Sequence, residues 1–395
     1  MKINQKEISI YIHIPFCTRK CLYCDFLSAS AATPVRNAYI KALLNEIKKE
    51  AFRYSDYIVT TIFIGGGTPS ILPAVQIKSI LNQIQIFYHC ASGMEISMEC
   101  NPGSATYEKI KKWREAGINR LSIGLQSADN KELLELGRIH TYEQFLETYT
   151  QARNCGFTNI NVDIMSALPG QSVESYRNTL TKVMELQPEH ISAYSLIIEE
   201  GTPFFERYGN SKNIMKYCPL PNEEDERTMY YDTENLLKKA GYHRYEISNY
   251  AKKGYECRHN LTYWSLKDYV GFGCGAASYF EGERYRNIDS TEEYIKIMED
   301  PLEKENCNAL KTDRQILTDK DKQEEYMFVG LRLMKGVSIA QFTQQFGKSM
   351  EEVYGNVIQK LTEEKLLCKR GDYLRMTKRG IDISNYVMEQ FLQDE

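Results

Sequence analysis

The sequence predicts an α/β fold: an open, incomplete barrel of six parallel strands with helices outside, followed by a helical, winged-helix-like C-terminal part. Three observations predict it. Through the first half, short segments rich in β-branched residues and bounded by Gly, Pro or Asn alternate with helical patterns. There are six such βα units, fewer than the eight that close a barrel. After about Leu220 the rhythm stops, and the C-terminal end reads as helices plus a hairpin.

Strands are expected at Ser9–Ile14, Val59–Ile64, Met94–Glu99, Arg120–Leu125, Asn159–Ile164 and Ile191–Leu196. Between them, Val35–Arg53 sets Ala38, Ala42, Leu43 and Ile47 on one side of a helix. Val75–Phe87, Tyr107–Ala116, Phe145–Cys155 and Ser175–Leu186 follow the same period. Asn222–Ala240 is a long helix whose acidic first turn suits the positive end of the helix dipole. Tyr242–Tyr250 reads as a short extended piece, Gly271–Gly275 as a Gly-rich turn, and the polar stretch 281–322 as loop or linker. Gln323–Lys335 and Met350–Lys365 are expected helices. Leu366–Arg370 and Tyr373–Met376 form the hairpin, with a last helix after it. The expected units are a barrel at 1–220, an extension of it at 221–310 and the winged-helix-like part at 311–395.

Composition limits function. The chain has 395 residues with 42% hydrophobic and 26% charged, enough for a sizeable core. A net charge of −4 gives no reason to expect nucleic acid as a partner. The winged-helix-like end is neutral from Lys320 onward, with twelve basic and twelve acidic residues. Its second helix carries Glu351, Glu352, Glu363 and Glu364, so packing or partner docking is expected rather than DNA binding. No run approaches the ~18 apolar residues of a membrane span, and Met1–Glu7 lacks a signal-peptide stretch. The expected location is cytoplasmic, with peripheral contact at a membrane left open. Eleven cysteines, an odd number, argue against a disulfide framework.

Three of those cysteines carry chemistry: Cys17-Thr-Arg-Lys-Cys21-Leu-Tyr-Cys24, directly after the first strand. Three soft thiolates within eight residues suit an iron–sulfur cubane and leave its fourth iron open to a small ligand. Zinc is the other reading. It needs a fourth ligand, for which His13 is nearby, but the uneven spacing is unlike paired zinc knuckles.

At this point the chain resembles the radical SAM superfamily, and within it the HemN/HemW group. Tyr11-Ile-His13-Ile-Pro15-Phe16-Cys17 looks like that group's loop entry, and Gly65-Gly66-Gly67-Thr68-Pro69-Ser70 like the turn after its second strand. Glu99-Cys100-Asn101-Pro102, Gly124-Leu125-Gln126-Ser127, Arg138-Ile-His140, Asp163 and Leu168-Pro169-Gly170-Gln171 are further matches. The resemblance implies a partial TIM-like barrel, a [4Fe–4S] cluster on Cys17, Cys21 and Cys24, and S-adenosylmethionine at the open iron. It further implies cofactor contacts from Tyr11, Gly66, Gly67, Thr68, Glu99, Gln126, Arg138 and Asp163. Two departures stand out. Cys100 replaces a usual small Ala, and Met165-Ser166-Ala167 replaces an apolar-aromatic-Gly stretch.

A second motif separates the branches. His259-Asn260-Leu261-Thr262-Tyr263-Trp264 fits the HNxxYW pattern of the haem-chaperone branch, HemW. Tyr245-Glu246-Ile247-Ser248-Asn249, His190-Ile-Ser192-Ala-Tyr194, Gly201-Thr202-Pro203-Phe204 and Glu324-Glu325-Tyr326-Met327 with Gly330-Leu331-Arg332 resemble that branch as well. The implied role of His259 is axial ligand to haem iron, with Tyr263 and Trp264 against the macrocycle. HemN, the coproporphyrinogen III dehydrogenase, has a further cysteine two residues after the third ligand, where this chain has Phe26. It also begins with an extra segment, whereas the first strand here starts by Ser9. The resemblance therefore implies transfer of haem to acceptor proteins such as membrane respiratory enzymes, with an electron donor needed if S-adenosylmethionine is cleaved. Oxidative decarboxylation of coproporphyrinogen III, or modification of another tetrapyrrole, is the alternative. Use of the winged-helix-like end as a haem-sensing regulator is a weaker third.

Overall fold

The computed structural model describes residues 6–209, 216–299 and 307–393. β1 (Lys6–Ile14), β2 (Tyr57–Gly66), β3 (His89–Cys100), β4 (Arg120–Gln126), β5 (Ile160–Ser166) and β6 (His190–Ser195) pair in sequence order, all parallel. They cover the six expected strands to within a few residues. Helices Thr33–Glu50, Ala74–Phe87, Tyr107–Glu115, Tyr142–Asn154 and Val173–Glu185 return the chain between them.

Local chemistry sets several helix starts. Thr141 and Gln144 form a reciprocal capping box, and the Thr106 and Ser172 side chains accept from backbone N–H groups in their first turns. The helices bury one face against the sheet. Ile8, Ile10, Ile12 and Ile14 of β1 join Tyr39, Leu43 and Ile47 of the first helix and Ile77, Ile80 and Leu81 of the second in one core. Burial of each such side chain contributes roughly 1.5–3 kcal/mol.

The sheet is larger than the sequence predicts. β7 (His243–Arg244) and β8 (Asn249–Ala251) add antiparallel beyond β6. On the other side β9 (Tyr269–Phe272) pairs parallel to β1, so seven strands run parallel. β10 (Ala277–Phe280), β11 (Glu283–Asn287) and β12 (Lys311–Ile316) then follow antiparallel. The order β12-β11-β10-β9-β1-β2-β3-β4-β5-β6-β8-β7 does not close. The expectation of loop or linker over 281–322 is therefore wrong for the described part of that stretch. It holds β11, the helix Thr291–Glu299 and β12, and residues 300–306 lie outside the described residues. The segment is polar because it is the sheet's edge. β12 exposes most of its residues, and only alternate positions of β11, Tyr285 and Asn287, are buried.

The large sheet thus reaches Ile316, past the expected 310/311 boundary. Beyond it lie helix Asp319–Gly330, β13 (Val337–Ser338), helices Ile339–Phe346 and Met350–Glu363, and the hairpin β14 (Leu367–Arg370) and β15 (Tyr373–Met376). The small sheet is ordered β13-β15-β14. This is winged-helix order, with its own core of Tyr326, Phe342, Tyr354, Leu361 and Phe391. It is tied to the barrel by Arg332. That guanidinium lies 4.4 Å over the Trp264 ring and 3.5 Å from the fully buried Glu246 carboxylate. Among the described residues no helix is long and apolar enough to cross a membrane.

Candidate functional site

The C-terminal ends of the parallel strands open on one cavity of about 430 Å³. All twelve expected site residues line it: Tyr11, Cys17, Cys21, Cys24, Gly66, Gly67, Thr68, Glu99, Gln126, Arg138, Asp163 and His259. The sequence treats His259 as a second site, but the structure places it on the lining of the same cavity as the cysteine loop.

The loop is held by backbone bonds at both ends. Cys17 N–H donates to Ala29 O (3.1 Å), Ala29 N–H to Pro15 O (3.0 Å) and Leu22 N–H to Leu136 O (3.1 Å). Phe204 N–H in turn donates to Leu22 O at 3.0 Å. The three thiols are half-buried. Cys17 Sγ lies 3.3 Å from the Thr68 hydroxyl, Cys21 Sγ accepts from Arg138 at 3.6 Å, and burial pushes the Cys24 thiol up to about 11. Among the described residues no three His, Cys, Asp or Glu side chains converge as a single ion requires. The ligands of a cubane sit on separate irons and need no such convergence. His13 is engaged elsewhere. Its Nε2–H donates to Leu27 O (2.9 Å), and its Nδ1 accepts from the Tyr11 hydroxyl (3.0 Å).

Gly67 leaves room beside the loop. A Cβ there would stand 2.8 Å from Phe16 O and 3.0 Å from Cys17 Sγ. Gly66, at φ +112°, needs glycine's freedom, and its N–H donates to Glu99 Oε2 at 3.2 Å. Burial, and then the nearby Asp163 carboxylate, push the Glu99 carboxyl up to about 8. Asp163 is also raised by burial, although it accepts from Asn161 Nδ2 (2.7 Å) and from the Ser122 hydroxyl (3.3 Å). Gln126 closes β4 at φ +73°, a left-handed conformation costing a non-glycine residue about 1–3 kcal/mol. Its Oε1 accepts from the Tyr194 hydroxyl at 3.1 Å. Arg138 donates to Gly124 O (2.7 Å) and Asn101 Oδ1 (3.0 Å), while its buried Nε–H has no partner. The cavity therefore offers raised carboxyls and an unspent guanidinium donor, a donor set that fits a ligand carrying both ammonium and carboxylate groups. Cys100 packs under this wall, nearly fully buried, with its thiol pushed up to about 12 by burial.

The raised Glu99 pKa has a consequence for stability. Between the ordinary carboxylate value and about 8, the folded protein holds a proton that the unfolded chain has released. Stability therefore falls as pH rises through that window. Glu99→Gln removes this dependence. We expect thermal denaturation of the ligand-free protein to show the variant melting above wild type at pH 8.5, by about 1 °C for each kcal/mol recovered in a chain of this size. At pH 5 the two should coincide, and an equal gain at both pH values would refute the assignment.

His259 lies on the short helix Arg258–Trp264. The helix has no side-chain cap of its own. Glu95 of β3 serves instead, accepting from Arg258 N–H (3.1 Å), His259 N–H (3.2 Å) and Cys257 Sγ (3.5 Å). His259 is 1% exposed and stacks on Phe63 with ring centroids 5.2 Å apart. Burial, and then Arg120, push its pKa down to about 3, so the ring is neutral. Both ring nitrogens have partners, Nδ1 at 2.7 Å from the Thr61 hydroxyl and Nε2 at 2.7 Å from the Tyr263 hydroxyl. Iron ligation by Nε2 requires Tyr263 to leave. Trp264 does not line this cavity; it lines an adjoining aromatic groove with Phe26 and Tyr269, and it carries the Arg332 stack.

Sequence reasoning missed Tyr194, Asn101 and Arg120 as wall residues, and Thr61 and Glu95 as the supports of His259. The signal for the supports is a polar residue inside an otherwise apolar strand, such as Thr61 in β2 or Arg120 in β4.

Comparison with known proteins matches residues 11–183 to the radical SAM superfamily and 317–383 to the HemN C-terminal domain. The chain is 37% identical over 391 residues to the heme chaperone HemW of Lactococcus lactis, covering 99% of both chains. It is 36% identical to the Bacillus subtilis HemW, covering 97% of this chain and 99% of that one. The Escherichia coli HemW is 33% identical, with 99% and 100% covered. Among solved structures, the coproporphyrinogen III oxidase HemN of Escherichia coli superposes with a TM-score of 0.84 at 22% identity, over 98% of this chain and 91% of that one, a likeness of fold. With relatives this similar along its whole length, and with the cysteine loop and His259 of the HNxxYW motif lining one cavity, the chain belongs to the HemW family of the radical SAM superfamily.

Proposed function

We propose that this chain is a haem chaperone. It holds a [4Fe–4S] cluster on Cys17, Cys21 and Cys24, with S-adenosylmethionine at the open iron. It binds haem through His259 and passes it to acceptor proteins. The observation that carries the reading is that a neutral imidazole and three thiols line one cavity. When bound, the cluster and S-adenosylmethionine supply one-electron chemistry. The rest belongs to the chain. Glu99 ionises to receive an ammonium, and Asp163 accepts from ribose hydroxyls. Arg138 and Gln126 orient the carboxylate end. Gly66 and Gly67 let backbone approach the ligand, Thr68 positions Cys17, and Tyr11 closes the wall beside His13.

The acceptors are haem proteins, membrane respiratory enzymes among them, met from the cytoplasmic side. The winged-helix-like end serves as the docking unit rather than a nucleic-acid reader. An electron donor is needed only if S-adenosylmethionine is cleaved. As working units we keep 1–220, 221–310 and 311–395, the last beginning with β12, which pairs into the large sheet.

The rival reading, decarboxylation of coproporphyrinogen III, is opposed by Phe26. It stands 64% exposed at the cavity mouth, in the place of HemN's further cysteine. The test offers the anaerobically reconstituted full chain haem and coproporphyrinogen III together, with S-adenosylmethionine and a reductant. The expected outcome is near-stoichiometric haem binding and no conversion of coproporphyrinogen III. Sustained multiple turnover to protoporphyrinogen would restore the decarboxylase reading.

A further inference from the structure

The two hydrogen bonds to His259 can be given directions. Each hydroxyl has one proton to donate. Thr262 Oγ1 lies 3.3 Å from Arg258 O, and a carbonyl only accepts, so the Thr262 proton is spent there. The 2.9 Å contact between Ser9 and Thr262 must then be donated by Ser9. The 2.8 Å contact between Thr61 and Ser9 must be donated by Thr61. Thr61 has no proton left, so at 2.7 Å it accepts from His259 Nδ1–H. Because the buried ring is neutral, Nε2 carries the lone pair, and the Tyr263 hydroxyl donates to it at 2.7 Å. The chain of hydroxyls thus sets the tautomer that a metal ligand needs, in the way that second-shell groups orient ligating histidines. The lone pair it presents is already in use.

The position of Tyr263 gives that contact a meaning. Its ring stands between the cavity holding His259 and a second cavity of about 500 Å³, and it lines both. The second cavity is a groove beside the cysteine loop, walled by Phe26, Leu27, Tyr269 and Tyr279. Phe26 and Leu27 are 64% and 37% exposed at its edge. Arg284 also lines the groove, paired through Nη1 with Glu325 at 2.7 Å. A largely aromatic slot, lined also by His13, Glu99 and one guanidinium, suits a flat macrocycle bearing carboxylates. Its volume is in the range of small-molecule sites.

We propose that Tyr263 is a displaceable cap on the haem-ligating nitrogen of His259, and that haem entering by the aromatic groove binds only when the Tyr263 ring swings out. This rests on the reading that His259 ligates haem. The exchange balances without redox change. The hydrogen bond from Tyr263 to Nε2 breaks, the tyrosine keeps its proton, and the Nε2 lone pair forms a coordinate bond to iron. On release the hydroxyl returns to the same lone pair, so the empty ligand is never left bare in a buried site. That gives a carrier a built-in competitor that favours hand-over. Thr61, Ser9 and Thr262 are positioning residues, since they touch no iron and act through the imidazole.

The experiment is haemin titration and haem-transfer kinetics of the full, anaerobically reconstituted chain, comparing wild type with Tyr263→Phe, Thr61→Val and His259→Ala. Tyr263→Phe keeps the ring and removes the cap. It should bind haem about tenfold more tightly, with slower dissociation to apomyoglobin and an unaltered Soret position. Thr61→Val removes the acceptor of Nδ1–H. It should shift the Soret band and speed dissociation, with iron and sulfide content unchanged. Unchanged haem affinity in Tyr263→Phe, alongside a loss in His259→Ala, would overturn the cap and leave the ligand assignment standing. Unaltered binding by His259→Ala would remove the ligand assignment and the cap together. A tyrosinate charge-transfer band in wild type that is lost in Tyr263→Phe would show Tyr263 to be a ligand, and would overturn the cap as well.

Discussion

Replacing Cys21 by Ala is expected to abolish the iron–sulfur cluster. The reconstituted wild-type chain should hold about four irons and four sulfides, and the variant less than about a tenth of that. Cys21 sits mid-loop, between backbone anchors at Cys17 and Leu22 that do not involve its side chain. The loop's path should therefore survive the substitution while one of only three thiolates is lost. No nearby group can replace it, because His13 is committed through both ring nitrogens and Thr68 is already against Cys17. Cys90→Ala is the control. Cys90 lies at the start of β3, at the end of the sheet away from the cavity, and its loss should leave the cluster intact. Iron and sulfide assays with the visible spectrum decide the matter. A cluster that survives in Cys21→Ala, or stoichiometric zinc in the wild type, would defeat the assignment.

His259→Ala is expected to weaken haem binding by at least about tenfold, equivalent to about 1.4 kcal/mol, and to move the Soret band. Iron and sulfide content should not change. The reason is local rather than one of distance along the chain. His259 lines the same cavity as the thiols, yet its contacts are Thr61, Tyr263 and Phe63, none of which touches a cysteine of the loop. Trp264→Ala should weaken haem binding less, because no metal bond is lost. It should also loosen the C-terminal unit, since Arg332 stacks on that ring. Haemin titration followed by absorbance, with thermal melts in parallel, separates the two effects. Unaltered haem affinity and spectrum in His259→Ala would remove the main physical support of the chaperone reading.

The parallel strands were legible because each is a short segment rich in branched apolar residues and bounded by Gly, Pro or Asn, as in Ile8 to Ile14 before Pro15 or Leu121 to Leu125 after Asn119. The cysteine loop and the strand-end motifs were legible because ligand chemistry restricts residue type and spacing together. Three things were not. β9 is four residues long and β7 only two, too short to set a period. The helix carrying His259 borrows its cap from Glu95, more than 160 residues earlier, so no local start signal exists. The convergence of His259 with the cluster loop depends on β9 pairing beside β1 and on that helix lying against β2, and neither leaves a mark in periodicity.

The polar edge strand has a further consequence for the protein's life in solution. Among the described residues the sheet has twelve strands and does not close, so it has two rims where backbone groups could recruit another copy into a growing stack. One rim, β7, is only two residues long. The other, β12, alternates charge along its length through Lys311, Asp313 and Arg314. It is also interrupted by the left-handed Asp313, at φ +51°, and by a shift of register against β11. A strand arriving at that rim would have to desolvate fixed charges and match a broken ladder. A protein that must keep an apolar groove open to solvent is thereby spared a second adhesive surface, and its resistance to fibrous self-association rests on the residues that looked most like a featureless linker.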